Sequence, residues 1–125
     1  MKLKYVLISS FSTYEEKVIE TEYVDFLEEE KGKFSHIEFD DKKGMHCVLD
    51  VSDDEINISY AAQSLSMKKN QYVENKLNIS EKDWIFLEVY LIKVIISKEE
   101  ISFTYDLLQN KNIIVRNTAK LIFIN

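Results

Sequence analysis

The chain has 125 residues, 46% of them apolar, and a net charge of −6 from 22 acidic against 16 basic residues. A length of this order makes one domain, residues 1–125, whose core needs neither metal nor disulfide to fold. The lone cysteine, Cys47, excludes an internal bridge. All the basic residues except Arg116 are lysines, and an acidic field repels phosphate backbones, so nucleic acid is not an expected partner.

The N-terminal apolar patch, Tyr5 to Ile8, is shorter than a signal-peptide core, and no small-residue cleavage site follows it. The longest apolar stretch, Trp84 to Ile96, is broken by Glu88 and Lys93 and falls short of a membrane span. The expectation is a cytoplasmic protein with no membrane partner.

Apolar residues recur with period two, and the segments are rich in Ile, Val, Tyr, Phe and Thr, which suit a pleated, half-buried surface. Strands are predicted at about 2–9, 15–27, 33–40, 45–52, 55–61, 64–69, 71–79, 83–97, 101–108 and 113–124. The stretch from Glu15 to Glu30 also carries a helical pattern, but Val18, Ile19, Thr21, Tyr23 and Val24 favour strand. There is no proline, and the two glycines, Gly32 and Gly44, fall at breaks in the pattern where a turn needs positive φ. Short turns and no long crossover imply an all-β, closed, antiparallel up-and-down barrel of about 8–10 strands.

Two strand details have consequences. In the hairpin from Lys33 to Ser52, a five-residue loop, Asp40 to Gly44, would pair Phe39 with Met45, Ile37 with Cys47 and Ser35 with Leu49. That register sets Glu38 opposite His46, with His36 on the same face. The long strand from Trp84 to Ile96 carries charges on both faces, so a bulge is expected near Glu88 to Tyr90.

Ile37–Asp41, Met45–Val51, Ile56–Tyr60, Gln63–Met67, the long strand Trp84–Ser97 and Ile101–Leu107 follow one another in a set order. That order of strands resembles the YwiB-like family of bacterial proteins. The resemblance implies a small calycin-type, lipocalin-like barrel of unknown function, with no catalytic residues to carry over. Similar proteins tend to carry a Tyr-Gly turn where Ser80–Asp83 stands here, and polar residues where Leu91 and Ile92 stand.

Candidate chemistry is sparse. His36, Glu38 and His46 have the residue types of a metal site, but a solvated strand face is the favoured reading and no metal is expected. The acidic pairs Asp40-Asp41, Asp53-Asp54 and Glu99-Glu100 lack the spacing of a calcium loop. No nucleophile elbow or phosphate loop occurs, and Cys47 falls on the apolar face. The expectation is therefore a non-enzymatic protein without a cofactor. A barrel of this size has an interior wide enough for one small guest, and Tyr60, Met67, Trp84 and Tyr105 are the candidate lining residues. The leading reading is binding of a small apolar or amphipathic molecule. The alternative is a protein-interaction or structural module with a filled barrel.

Overall fold

The computed structural model of the chain describes residues 1–11, 16–60 and 63–125. It is all-β and antiparallel, with no helix among those residues. The strands are β1 (Lys2–Phe11), β2 (Glu16–Glu20), β3 (Val24–Lys31), β4 (Phe34–Asp40), β5 (His46–Val51), β6 (Glu55–Tyr60), β7 (Gln63–Lys68), β8 (Tyr72–Asn78), β9 (Trp84–Ile96), β10 (Glu100–Gln109) and β11 (Asn112–Ile124). The sheet order is β7-β6-β5-β4-β3-β1-β11-β10-β9-β8, with β2 also on β1. Consecutive strands thus pair except β2 with β3, which both lie on β1, and β7 with β8, and β11 returns to β1. The result is an up-and-down barrel closed everywhere except between β7 and β8.

That last seam is joined by side chains. The Asn75 amide accepts from the Ser66 N–H at 2.7 Å and donates to the Ser66 carbonyl at 2.8 Å. One end along, Gln63 accepts from the Asn78 N–H at 3.2 Å and donates to the Asn78 carbonyl. An amide group carries the same donor and acceptor pair as a peptide unit, so these two side chains stand in for missing ladder bonds.

Turn chemistry follows the sequence. Gly32 has φ +61° between the paired residues Lys31 and Phe34, the first central position of a II′ hairpin. Asn110 and Lys111 both have positive φ, as a I′ turn requires, between β10 and β11. Gly44, at φ +85°, ends the turn between Asp41 and Met45.

Three sequence expectations are corrected. The strand expected at 15–27 is two strands, with Glu15 outside the described residues. From Glu20 to Val24 the chain advances four residues while β1 advances three, from Val6 to Leu3. The slack is a bulge, and the Thr21 hydroxyl fills it by accepting from the Tyr5 N–H at 2.9 Å.

The β4–β5 register is displaced by two from the expected one. Phe39 pairs with Cys47, Ile37 with Leu49, Asp40 with His46 and His36 with Asp50. The Asp41 carboxylate accepts from the N–H groups of Lys43 and Met45, so the turn tightens to Lys42-Lys43-Gly44. A two-residue slip preserves every face, so the apolar pattern could not detect it.

The bulge in β9 lies at Ile92, beyond the expected Glu88–Tyr90. Thr104 pairs with Lys93 and Tyr105 with Leu91, leaving Ile92 unmatched. Leu87, Val89 and Leu91 point inward before it, and the half-buried Val94 packs on the core after it. The charge at Lys93 sets this position, since unbroken alternation would drive it inside. Glu88 needs no kink, because it shares the outer face with Trp84 and Phe86.

The middle of the barrel is filled. Leu3, Ile37, Leu49, Ile56, Met67, Leu91, Phe103 and Leu121 are fully buried there. Each contributes about 1.5–3 kcal/mol by burial alone.

Candidate functional site

Period-two alternation carries the core upward to one mouth of the barrel. On β1 the inward series Leu3, Tyr5, Leu7 rises past the packed middle; on β6 it is Ile56, Ile58, Tyr60, and on β7 Met67, Leu65, Gln63. At the top these side chains diverge and leave a cavity of about 290 Å³. Tyr5, Leu7, Ile58, Tyr60, Leu65 and Tyr105 form most of its wall, with Ile19 and Gln63 at the rim.

Its few polar groups are held in specific ways. The rings of Tyr5 and Tyr60 stack at 5.9 Å between centroids. The Tyr60 hydroxyl donates to the Asp41 carboxylate. That bond, with the backbone bond from Met45, holds Asp41 below the usual carboxylate range. Burial first, and Asp41 second, push the Tyr60 phenol far up. Burial also raises Tyr5 well above the ordinary phenol value. Tyr105 is raised by burial against the opposing effect of the Asn117 side chain. The Asn117 oxygen accepts from the Ser9 hydroxyl at 2.6 Å, which turns its NH₂ group towards Tyr105. All three phenols therefore stay protonated at neutral pH, and the cavity wall is uncharged.

Cys47 is buried beside this site, and burial pushes its thiol up to about 12. A thiol in that state is an inert core residue.

Of the side chains expected to line an interior site, Tyr60 and Tyr105 meet at this cavity. Met67 lies deeper on β7, fully buried in the packed middle. Trp84 is on the outer face, 52% exposed, with the Lys76 ammonium 4.4 Å from its ring centroid. Tyr5 was missed, although the alternation Leu3-Tyr5-Leu7 places it on the same face as the core.

A second cleft, of about 540 Å³, opens at the other end between Met1, Asn125 and the β9–β10 turn. It is framed by the chain ends and by Ser97, Lys98 and Glu99, and no buried polar group converges on it. The mouth cavity is the better-formed site.

The two histidines form a separate arrangement on the outer face. His36 Nδ1 lies 2.6 Å from Asp50, and its Nε2 3.1 Å from Glu38. His46 Nε2 lies 3.2 Å from Glu38, and its Nδ1 2.7 Å from Asp40. Asp50, His36, Glu38, His46 and Asp40 thus form one alternating chain. The Asp50 contact, then Glu38, raises His36 against burial and Lys31, and Asp40 with Glu38 raises His46. Both rings are held towards the imidazolium form, with each nitrogen occupied by a carboxylate rather than free to ligate. Among the described residues no group of His, Cys, Asp or Glu has the arrangement of a metal centre.

The fold and the site together define a class: an antiparallel up-and-down barrel, filled at its middle, with a small uncharged cavity at one mouth. Among solved structures, the chain is similar to the crystal structure of the ywiB protein from Bacillus subtilis. The TM-score is 0.68 at 10% identity, over 99% of this chain and 91% of that chain. At that identity the likeness shows the fold alone. No family model matches the sequence. No curated protein matches it either.

Proposed function

We propose that the protein binds a small, mostly apolar molecule in the mouth cavity and performs no chemistry on it. The observation that carries this reading is the cavity itself. Aliphatic and neutral phenolic side chains line an open cavity of about 290 Å³ above a packed core. A cavity of roughly 150 Å³ lined by apolar side chains already accepts benzene, so this one has room for about two such rings. Apolar walls with a few convergent polar groups are the usual make-up of a ligand site. The inert, buried Cys47 suits a reducing compartment, and we place the protein in the cytoplasm.

A second reading, an interaction module, draws on the outer face of β9. Trp84 and Phe86 are exposed there, with Ile95 exposed farther along the same strand.

Native mass spectrometry of protein purified without detergent tests the leading reading. It predicts one small-molecule adduct per chain, retained at low collision energy, or uptake of butylbenzene by the bare protein. A bare mass with no uptake would overturn it.

A further inference from the structure

We infer that the mouth cavity selects a neutral ligand that pairs an apolar body with one hydrogen-bond acceptor, of the ketone, ester or amide carbonyl class, met by the hydroxyls of Tyr5 and Tyr105. This rests on the reading of the cavity as a binding site and adds the chemistry of its occupant.

The argument is an inventory of donors and acceptors. Tyr5 is 5% exposed, and among the described residues no hydrogen bond involves its hydroxyl. No unpartnered polar atom among those residues is sealed from solvent, so that hydroxyl opens onto the cavity its ring lines. There its partner is cavity water, and a guest that displaces that water keeps the hydroxyl paired only by supplying an acceptor. Tyr5 and Tyr105 line the same cavity, and Tyr105 adds to burial in raising the Tyr5 phenol.

The remaining polar groups are committed elsewhere. The Tyr60 proton goes to Asp41. The Gln63 amide is engaged with the backbone of Asn78 across the seam. The Asn117 NH₂ faces the Tyr105 oxygen, so that hydroxyl keeps its proton to give. Among the described residues neither the Tyr5 nor the Tyr105 O–H has an acceptor, and the guest must bring one.

Charge narrows the class further. Among the described residues no lysine or arginine lines the cavity, and the Asp41 carboxylate lies one side chain away beyond Tyr60. A carboxylate guest would enter without a counter-ion and beside a like charge, which disfavours it. A neutral carbonyl faces neither penalty.

Three probes of similar size separate the possibilities: 4-phenylbutan-2-one, butylbenzene and 4-phenylbutyrate, each titrated by NMR into wild type, Tyr5→Phe and Tyr105→Phe. The ketone should bind wild type about three- to tenfold more tightly than butylbenzene, the span of one to two net hydrogen bonds. That preference should shrink in each variant, while butylbenzene affinity holds. The carboxylate should bind weakest.

Tyr5→Phe should melt in urea at or above the wild-type midpoint, because it removes a hydroxyl with no protein partner. Equal affinity for ketone and hydrocarbon, an unchanged preference in both variants, or tightest binding of the carboxylate would overturn the inference and leave the apolar cavity standing. Binding of none of the three would remove both the inference and the proposed function. A clear loss of stability in Tyr5→Phe would show that its hydroxyl has a protein partner, and would also overturn the inference.

Discussion

Asn75 on β8 and Ser66 on β7 exchange two hydrogen bonds, both through the Asn75 side chain, at the one place where the barrel lacks a ladder. The same amide also donates to the Val73 carbonyl at 3.1 Å, which fixes its rotamer. Asn75 is buried, so its amide closes the seam out of reach of competing water.

Asn75→Ala should therefore cost about 2–4 kcal/mol, since it removes three hydrogen bonds made by a buried amide, two of them to the Ser66 backbone. The exposed partner bond from Gln63 is open to water, and Gln63→Ala should cost less than about 1 kcal/mol. Urea melts of the two variants give the comparison. Equal midpoints would mean that the seam does not depend on the buried amide.

The facing of β9 gives a second prediction. Leu87→Ala truncates a buried side chain and should cost about 2–4 kcal/mol. Val94, half-buried beyond the bulge, should cost about 1–2 kcal/mol as alanine, and the exposed Lys93 close to nothing. A severe loss from Lys93→Ala in the same melts would place the bulge elsewhere.

These two elements show what the residues announce and what they do not. The β9 bulge was legible because Lys93 contradicts the alternation of Leu87, Val89 and Leu91. Its position moved because any bulge between Glu88 and Lys93 turns both charges outward, so the pattern alone does not choose Ile92 over Glu88–Tyr90. The strand types, the glycine turns and the meander order follow directly from period two and from turn residues. The β4–β5 register did not, because a slip of two leaves every face unchanged and the deciding bonds run from the Asp41 side chain. The seam left no pattern at all, since Asn75 and Gln63 look like ordinary strand residues. At the site, Tyr60 and Tyr105 were legible as inward-facing aromatics. Trp84 was misplaced because an aromatic on the outer face of β9 alternates just as an inner one does.

The histidine chain predicts a pH dependence. The folded-state values of His36 and His46 lie above the ordinary 6.5, so their contribution is complete below that and is lost as pH rises through the raised values. Glu38 lies below the ordinary 4.5, held down first by His36 and then by His46, so its contribution holds above 4.5 and is lost as pH falls through the lowered value. The network is strongest between these two ordinary values and weakens towards alkaline pH. The wild-type urea midpoint should fall more than that of His36→Gln between about pH 6 and about pH 8.5, and added salt should narrow the gap. Identical pH profiles would show that the network contributes nothing to stability.

The Asp41–Tyr60 bond links the β4–β5 turn to the rim of the cavity. Asp41 is held below its ordinary 3.8, so its stabilisation is present above that value and is lost as acid carries it through the lowered one. Tyr60→Phe should therefore unfold at a higher pH than wild type during acid titration, with Leu87→Ala as a control for general weakening. If both variants shift alike for equal loss of stability, the bond has no specific part in acid resistance.

The central claim is that the barrel is packed in its middle and open to a guest at one mouth. Methyl NMR during addition of butylbenzene tests it most directly. Shifts confined to Leu7, Ile58 and Leu65, with Leu3, Leu49 and Leu121 unmoved, are the predicted result. Methyl signals that stay fixed throughout, or shifts centred on Ile95 on the outer face of β9, would contradict it.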